Sequence, residues 1–281
     1  MFFFKYFQIF FRTKGIGTIL KPLFFDYPTE PECYDDDVLD QEFLLSYDFL
    51  VTPILQPHEH QIHPYFPGKS VSWYDLHSGE KYDGGSHHMI SCGLTDPIPM
   101  FLKAGSVIYR QEINDTVRSS QDLDNRFYLS VGLLKEKEGN GSYLESNGQM
   151  MACNDYNDFE KLGNCIDSNC MLTVRVSYKE FSDVKERKQL LIVFEAPDNE
   201  KEMRLDKVGI IGVDVYGIIN DETKEIKKEA VGLRICGHKG QDLAMEEIAV
   251  KVEKEQEIMK LRFMRSMNIE ASDQLLIELI T

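Results

Sequence analysis

The sequence predicts a mainly β protein built from two consecutive antiparallel β-sandwiches. Between Phe49 and Gln111, short apolar runs alternate with Pro, Gly, Asp and Ser at intervals of roughly 8–12 residues, as consecutive strands and their turns do. From Phe127 the same alternation resumes and continues to the end of the chain. The segment 114–124 between them is polar and contains Ser119-Ser120, so we expect a linker there.

Composition limits the functions that the chain can have. Its 281 residues suffice for two ordinary domains, and 42% hydrophobic with 28% charged residues describe a globular protein. The formal net charge of −16 leaves no basic excess for nucleic acid phosphates or an anionic membrane surface. We therefore expect no nucleic-acid partner, and we attribute the acidity to solubility.

The chain opens with an aromatic run, Met1–Phe11. Lys5 and Gln8 interrupt it, and residues 12–14 read Arg-Thr-Lys where a signal-peptide cleavage site needs small residues. The run is too short to span a bilayer, so no membrane span is expected. Phe3, Phe7, Phe10 and Phe11 would fit the inner stripe of a helix, which the family resemblance described below implies here. A degenerate signal or anchor is the alternative.

Three segments lead into the first sandwich. Thr18–Phe25 is an apolar run that predicts a strand buried on both faces, as in a parallel barrel. Residues 29–40 are acidic and turn-rich and contain Asp35-Asp36-Asp37. Consecutive Asp side chains cannot all converge on one calcium ion, so we expect a solvated loop there. Gln41–Phe49 is predicted to be a short helix.

The first sandwich is predicted from four apolar runs. Pro53 cannot donate to a ladder, which places the strand at 50–55 at an edge or makes it begin there. Trp73, the only tryptophan, lies in a run that must turn at Ser78-Gly79. Gly105 suggests a bend within the last run. Besides the strand at 50–55, the strands expected are Tyr65-Phe66, Ser72–Leu76 with Trp73, and Ile98–Ile108 with Gly105.

The second sandwich is expected to contain about eight strands. They are predicted at Phe127–Leu134, Met171–Tyr178, Leu190–Glu195, Lys207–Val213, Lys227–Ile235, Glu247–Lys254, Ile258–Phe263 and Leu275–Ile280. Met150–Cys170 is expected to be an inserted, loop-rich excursion.

Several of these runs also carry a family resemblance. The motifs TPILQP, YFP, WYDLHSG and DPIPMFLKAGSVI, in this order and spacing, are similar to the sandwich that follows the catalytic barrel in glycoside hydrolase family 31. Upstream, GTILKPLFFDYP resembles the segment of that family's last barrel strand, usually with Arg where Lys21 stands. The specific resemblance covers about residues 15–112.

The resemblance implies a domain organisation. Residues 1–48 would be the last helix and strand of a (β/α)8 barrel, 49–113 a proximal β-sandwich and 114–281 a distal β-sandwich. In the family, the first distal strand is followed by an acidic Asp-Asp-Gly turn. Here Gly141–Gly148 lacks both aspartates, so no role is carried over to that turn.

The family also implies an activity for a longer parent protein. The family includes retaining α-glucosidases, such as acid α-glucosidase, that hydrolyse terminal α-1,4-linked glucose with two carboxyl groups. Those residues are expected upstream of Met1, so we expect no catalytic residue and no hydrolysis from this chain alone. No other catalytic motif is present, and no cofactor is expected. The partners implied are α-glucoside oligosaccharides, through the parent enzyme, and the missing barrel portion.

A stand-alone carbohydrate-binding or scaffold module is the main alternative. It would need exposed aromatic rings on a sandwich face, and Trp73 and Tyr74 are the first candidates, with Tyr65 and Tyr82 beside them. The same rings could equally pack in the core or against the barrel. A third possibility is a subunit that associates with a separate barrel chain.

Histidines and cysteines raise the question of a metal. Strand alternation would place His58 and His60 on one face and His63 on the other, which would permit a two-histidine site, although an inter-strand turn is the expected structure. Cys165 and Cys170 could close a small loop, but no further ligands complete a zinc site. We favour structural thiols or one to two disulfides, and no metal.

Two sequons could carry glycans if the chain enters the secretory pathway. They begin at Asn114 and Asn140. Together with the family resemblance, they favour the secretory pathway or the lysosome, although no address can be read from the chain.

Overall fold

The computed structural model describes residues 18–58, 60–93, 95–111, 117–118, 126–136, 143–151, 171–180, 187–195, 204–217, 231–236, 250–255, 258–270 and 274–280. Within these ranges the protein is almost entirely β, with one short α-helix, α1 (Asp36–Gln41), and 3₁₀ turns at Leu23–Phe25 and Pro31–Tyr34. No helix in the described part is long and apolar enough to cross a bilayer.

The strands before residue 104 are short. They are β1 (Leu20–Lys21), β2 (Phe43–Leu45), β3 (Phe49–Val51), β4 (Gln61–Ile62), β5 (Tyr65–Phe66), β6 (Ser72–Asp75), β7 (Lys81–Asp83), β8 (Ser86–His87), β9 (Ile90–Ser91) and β10 (Met100–Lys103). One sheet has the order β1-β2-β3-β10-β6-β7, and β4-β9 and β5-β8 form two-stranded ribbons.

The strands after residue 104 are mostly longer. They are β11 (Val107–Gln111), β12 (Arg126–Gly132), β13 (Leu134–Glu136), β14 (Tyr143–Met151), β15 (Met171–Glu180), β16 (Arg187–Glu195), β17 (Arg204–Tyr216), β18 (Val231–Cys236), β19 (Val250–Glu255), β20 (Ile258–Glu270) and β21 (Gln274–Ile280). They form one sheet of order β11-β12-β17-β20-β19 and another of order β13-β14-β15-β16-β21-β18.

Among the strand pairs of the described residues, β12 and β17 are parallel and the rest are antiparallel. The prediction of a mainly β sandwich fold is confirmed. The prediction that all strands pair antiparallel is not, because β12 and β17 are parallel. A parallel pair needs a long crossover, and the chain between β12 and β17 is long enough to supply one.

Two buried clusters organise the residues around β6, because successive side chains of a strand point to opposite faces. Trp73 enters one cluster with Phe66 and Phe101. Tyr74 enters the other, which also takes Tyr216 of β17 and Ile258 of β20. The second cluster therefore joins the first sheet to the five-stranded sheet.

The segment predicted as a barrel strand, Thr18–Phe25, has a different structure. Only Leu20 and Lys21 are in a strand, which pairs antiparallel with β2, and a 3₁₀ turn follows at Leu23–Phe25. Pro22 explains the break, because it has no N–H to continue the ladder. The helix expected over Met1–Phe11 lies outside the described residues.

Two further predictions near this segment are wrong. The helix predicted at Gln41–Phe49 is instead α1, which ends at Gln41, followed by β2. Asp36 and Asp37 in the first turn of α1 favour the earlier start, because acidic side chains stabilise a helix amino terminus. Residues 49–51 are not an edge strand, since β3 lies between β2 and β10 and ends before Pro53.

Other predictions are confirmed. Trp73 lies in β6, Gly79 turns the chain with φ 79°, and Gly105 (φ 89°) separates β10 from β11. The predicted distal strands overlap β12 and β15 to β21. The region compared with an acidic turn, Gly141–Gly148, is a strand from Tyr143 onward and pairs with β15.

Candidate functional site

Two buried glutamates fix the chain around Tyr65. They bound the segment 30–42, called the acidic segment below, which contains the second 3₁₀ turn and α1. Glu30 Oε2 accepts the Tyr65 hydroxyl hydrogen at 2.9 Å, and both Glu30 carboxylate oxygens accept the Gly68 N–H at 3.0–3.1 Å. Glu42 Oε1 accepts the Tyr65 N–H at 2.9 Å. The glutamates therefore tie the acidic segment to β5.

Burial in this cluster favours the neutral forms of Glu42 and Cys33. Burial raises the pKa of Glu42 to about 8, and the Tyr65 N–H lowers it only partly. Burial, reinforced by Glu30, Glu42 and Glu32, raises the pKa of the Cys33 thiol to about 12. Glu30 and Glu42 are 9% and 5% exposed, so neither is available to an external substrate. The cluster holds backbone in place rather than performing acid–base chemistry.

Strand β1 carries a buried cation, Lys21. Lys21 Nζ is 2.6 Å and 2.8 Å from the two Asp26 carboxylate oxygens and 3.5 Å from the centre of the Tyr47 ring. Lys21 itself is 5% exposed. Its charge is therefore matched by a carboxylate and an aromatic face, as burial of an ammonium requires.

Four large hydrophobic side chains are exposed on β1 or on the turns around it, and we call them the apolar edge. They are Leu20 (51% exposed), Phe25 (56%), Tyr34 (49%) and Tyr47 (44%). Phe24 links two of them, because its ring lies 5.1 Å from both the Phe25 and the Tyr34 ring. Phe25 and Tyr34 thus lie near each other, and exposed apolar groups of this kind typically mark a surface that contacts another protein element.

The aromatic residues proposed as sugar contacts are mostly buried. Trp73 is fully buried and its indole N–H donates to the Pro67 carbonyl at 2.9 Å. Tyr74 is buried and its hydroxyl donates to the Leu133 carbonyl at 2.8 Å. Tyr65 is buried against Glu30, and Tyr82 stacks on Phe66. Sugar contact by Trp73 and Tyr74 stays a prediction, and their burial argues against it.

The histidines do not assemble a metal site in the described residues. No group of three or more His, Cys, Asp or Glu there could hold a metal ion. His58 and His60 precede β4, and His58 has φ 65°, so strand alternation does not apply to them. The Asp35–Asp37 triplet is exposed at the start of α1, where it faces solvent.

One serine lies beside a histidine but is not activated by it. His88 Nε2 is 3.0 Å from Ser86 Oγ and 2.8 Å from the Asp83 carbonyl oxygen. A carbonyl can only accept, so this nitrogen carries its hydrogen and donates it. It therefore cannot serve as a general base toward Ser86.

The structure describes only some of the residues on which the cysteine and sequon predictions depend. Cys33 and Cys92 are buried free thiols. The pair Cys165 and Cys170 and the sequon residues Asn114 and Asn140 lie outside the described residues. The catalytic carboxylates expected upstream of Met1 stay a prediction.

An ion-pair cluster on the five-stranded sheet was not predicted. Asp214 of β17 is buried and contacts the guanidinium groups of Arg110 and Arg262, and both guanidinium carbons lie 4.8 Å from the Tyr128 ring centre. The signal was available, because Asp214 stands alone inside the apolar run 210–216. Glu30 and Glu42 gave no comparable signal, since they lie among other acidic residues.

Sequence comparison relates this chain to known proteins. A model of the glycosyl hydrolase family 31 C-terminal domain matches residues 17–108. Alpha-glucosidase 2 of Bacillus thermoamyloliquefaciens is 33% identical over 126 residues, which cover 45% of this chain and 15% of that protein. The lysosomal acid alpha-glucosidase of Tetrahymena pyriformis is 25% identical over 187 residues, which cover 62% of this chain and 19% of that protein. The chain thus spans less than a fifth of either relative.

Structural comparison agrees at the level of the fold. The glucosidase II alpha subunit superposes with a TM-score of 0.62 at 16% identity, covering 99% of this chain and 27% of that one. The Flavobacterium johnsoniae GH31 dextranase superposes with a TM-score of 0.61 at 14% identity, covering 99% of this chain and 31% of that one. Residues 17–108 therefore resemble the C-terminal domain of glycosyl hydrolase family 31 in sequence, and the chain shares the fold of enzymes of that family.

Proposed function

We propose that this chain is the carboxyl-terminal part of a retaining α-glucosidase and acts as a support for a catalytic barrel rather than as the catalyst. The parent would hydrolyse terminal α-1,4-linked glucose, and the catalytic carboxylates would lie upstream of Met1. The domain bounds proposed are 1–48 for the barrel portion, 49–113 for the proximal sandwich and 114–281 for the distal sandwich.

The apolar edge is the observation that carries this proposal. Its four side chains expose large hydrophobic surface at the start of the matched segment, where the barrel would adjoin. Beneath them, Lys21 and Asp26 are paired, which keeps β1 and the following turn in a fixed shape. A surface of this kind is stabilised when another protein element covers it.

A domain exchange tests the proposal. Residues 17–108 would replace the matching segment of Bacillus thermoamyloliquefaciens alpha-glucosidase 2, and hydrolysis of maltose would be measured. We expect the chimera to be active and Phe25→Asp to lower its kcat/KM at least about tenfold, because a carboxylate would be buried at the contact. Leu55→Asp is the matched control, since Leu55 is 54% exposed but lies outside the apolar edge.

Equal activity of both variants would contradict the role of the apolar edge. Hydrolysis by the isolated chain, titratable with an active-site inhibitor, would contradict the placement of catalysis upstream. Calorimetric titration of the isolated chain with maltose tests the stand-alone binding module. We expect no binding, and binding that is lost in Trp73→Ala would favour the module instead.

A further inference from the structure

The two buried glutamates of the acidic segment differ in how well they are satisfied. Glu30 accepts hydrogens from the Gly68 N–H and the Tyr65 hydroxyl, which occupy both of its oxygens. Glu42 accepts only the Tyr65 N–H, through Oε1. Its Oε2 is buried without a hydrogen-bond partner among the described residues. An ionised Glu42 therefore has little to offset the loss of its hydration.

The groups beside Glu42 are neutral or negative. The Tyr65 N–H and Cys33 lie next to it, and Glu30 and Glu32 lie near the same cysteine and tyrosine. Further out, Tyr27 adjoins Cys33, His87 adjoins Tyr65, and Lys103 adjoins Tyr27. Glu32 Oε2 is also buried without a partner in this part of the structure. Lys103 Nζ lies over the Tyr27 ring at 5.6 Å, and the exposed His87 ring lies 5.1 Å from the Tyr65 ring.

We propose that Glu42 is a protonation-dependent contact, which holds the acidic segment against β5 when it is a neutral carboxylic acid and loosens that segment when it becomes a carboxylate. The consequence reaches the apolar edge, because Tyr34 belongs to the acidic segment and its ring stacks on Phe24 at 5.1 Å. The inference does not depend on the function proposed above.

The direction of the pH dependence follows from proton linkage. The folded protein holds the Glu42 proton up to about pH 8, whereas an unfolded chain releases it near 4.5, the ordinary pKa of the group. Between these values the folded state binds more protons, so stability falls as pH rises. Cys33, with its pKa near 12, stays neutral over this window. Burial also raises the pKa of Asp48, which adds to the same slope from a different place.

Thermal unfolding of the full chain between about pH 5 and pH 8 tests the proposal. We expect the wild-type Tm to fall by at least about 4 °C over this range, and Glu42→Gln to remove about half of the fall or more. Glu30→Gln is the matched control from the same segment, and it should lower the Tm similarly at both pH values. Asp48→Asn measures the contribution of the second carboxyl group whose pKa is raised.

Hydrogen exchange of the wild-type chain provides an independent test that needs no variant. Protection of the Tyr65 amide, corrected for the intrinsic effect of pH, should fall at least about tenfold from pH 5 to pH 8. Protection of the Phe101 amide in β10 should fall less. A Glu42→Gln slope equal to that of wild type, or Tyr65 protection independent of pH, would overturn the proposal.

Discussion

Lys21 shows at the residue scale how a single charge can be essential to a local structure. It is almost fully buried, and its charge is neutralised by Asp26 and the Tyr47 ring. We expect Lys21→Met to lower the free energy of unfolding by about 2–4 kcal/mol, because Asp26 is left partly buried without its partner. Urea denaturation measures the change.

Lys81→Met is the comparison for this substitution. Lys81 pairs with Asp83 at 2.9 Å, but both side chains are largely exposed, so its loss should cost less than about 1 kcal/mol. If the two variants were equally stable, the Lys21 pair would not be a source of stability.

Trp73 is a second residue whose environment determines its role. Its ring is fully buried, and its N–H donates to Pro67. Trp73→Phe should lower the free energy of unfolding by about 2–4 kcal/mol, since it opens a cavity and leaves that carbonyl unpaired. Tyr82→Phe, which loses the exposed hydrogen bond to Glu80, should change it by less than about 1 kcal/mol. Urea denaturation of both variants gives the comparison.

At the scale of elements, two tyrosine hydroxyls connect β6 and the residue after it with the ends of β12 and β17. The Tyr74 hydroxyl donates to the Leu133 carbonyl, and the Tyr216 hydroxyl donates to the Leu76 carbonyl at 3.2 Å. The backbone passes directly beneath the Tyr74 hydroxyl at Gly217, where φ is 87°. The junction of the two sandwiches therefore depends on a residue without a side chain.

Gly217→Ala tests this junction. An added Cβ would lie 2.3 Å from the Tyr74 hydroxyl oxygen and would also have to adopt a positive φ. We expect a loss of more than about 2 kcal/mol of unfolding free energy, measured by urea denaturation. In Gly93→Ala the three atoms nearest the added Cβ belong to the Asp96 carboxylate, and the loss should be about 1 kcal/mol or less. Equal losses would mean that the junction tolerates the extra atom.

At the scale of the whole molecule, one buried cluster spans the first sheet and the five-stranded sheet. Leu102 of β10, Tyr74 of β6 and Ile258 of β20 all belong to it. Unfolding one sheet would expose the apolar surface of the other, so we expect the two to unfold together.

The fluorescence of Trp73 and the hydrogen exchange of β12 amides report on the two sheets separately. In urea we expect the same midpoint from both measurements, within about 0.3 M, and Leu102→Ala should lower both midpoints equally. Two separate midpoints would contradict the coupling and would make each sandwich an independent folding unit.

Elements that depend on local conformation were predicted correctly from the sequence, whereas elements that depend on the surrounding strands were not. The turns at Gly79 and Gly105 were predictable because positive φ values select glycine locally. The strand expected over Thr18–Phe25 is limited to Leu20 and Lys21, because Pro22 ends the ladder and a 3₁₀ turn follows. The apolar residues of that run do not distinguish a buried barrel strand from an edge strand with an exposed apolar surface, because both have apolar sequences.

The candidate functional site also combines features that the sequence indicated with features that only distant contacts decide. Trp73 and Tyr74 were open to both a surface and a core interpretation, because an aromatic ring suits either, and only their contacts with Pro67 and Leu133 place them inside. Glu30 and Glu42 look like ordinary acidic surface residues in the sequence. Their burial depends on β5, which lies more than twenty residues away along the chain.

The sequence by itself determined the β class, the glycine turns, most distal strands and the family resemblance, because each of these depends on short-range patterns. The tertiary structure alone decided which charges are buried, which strands are parallel and which hydrophobic residues form the apolar edge. These properties depend on residues distant in sequence that become neighbours only after folding, when burial sets the free energy of each charge and each exposed ring.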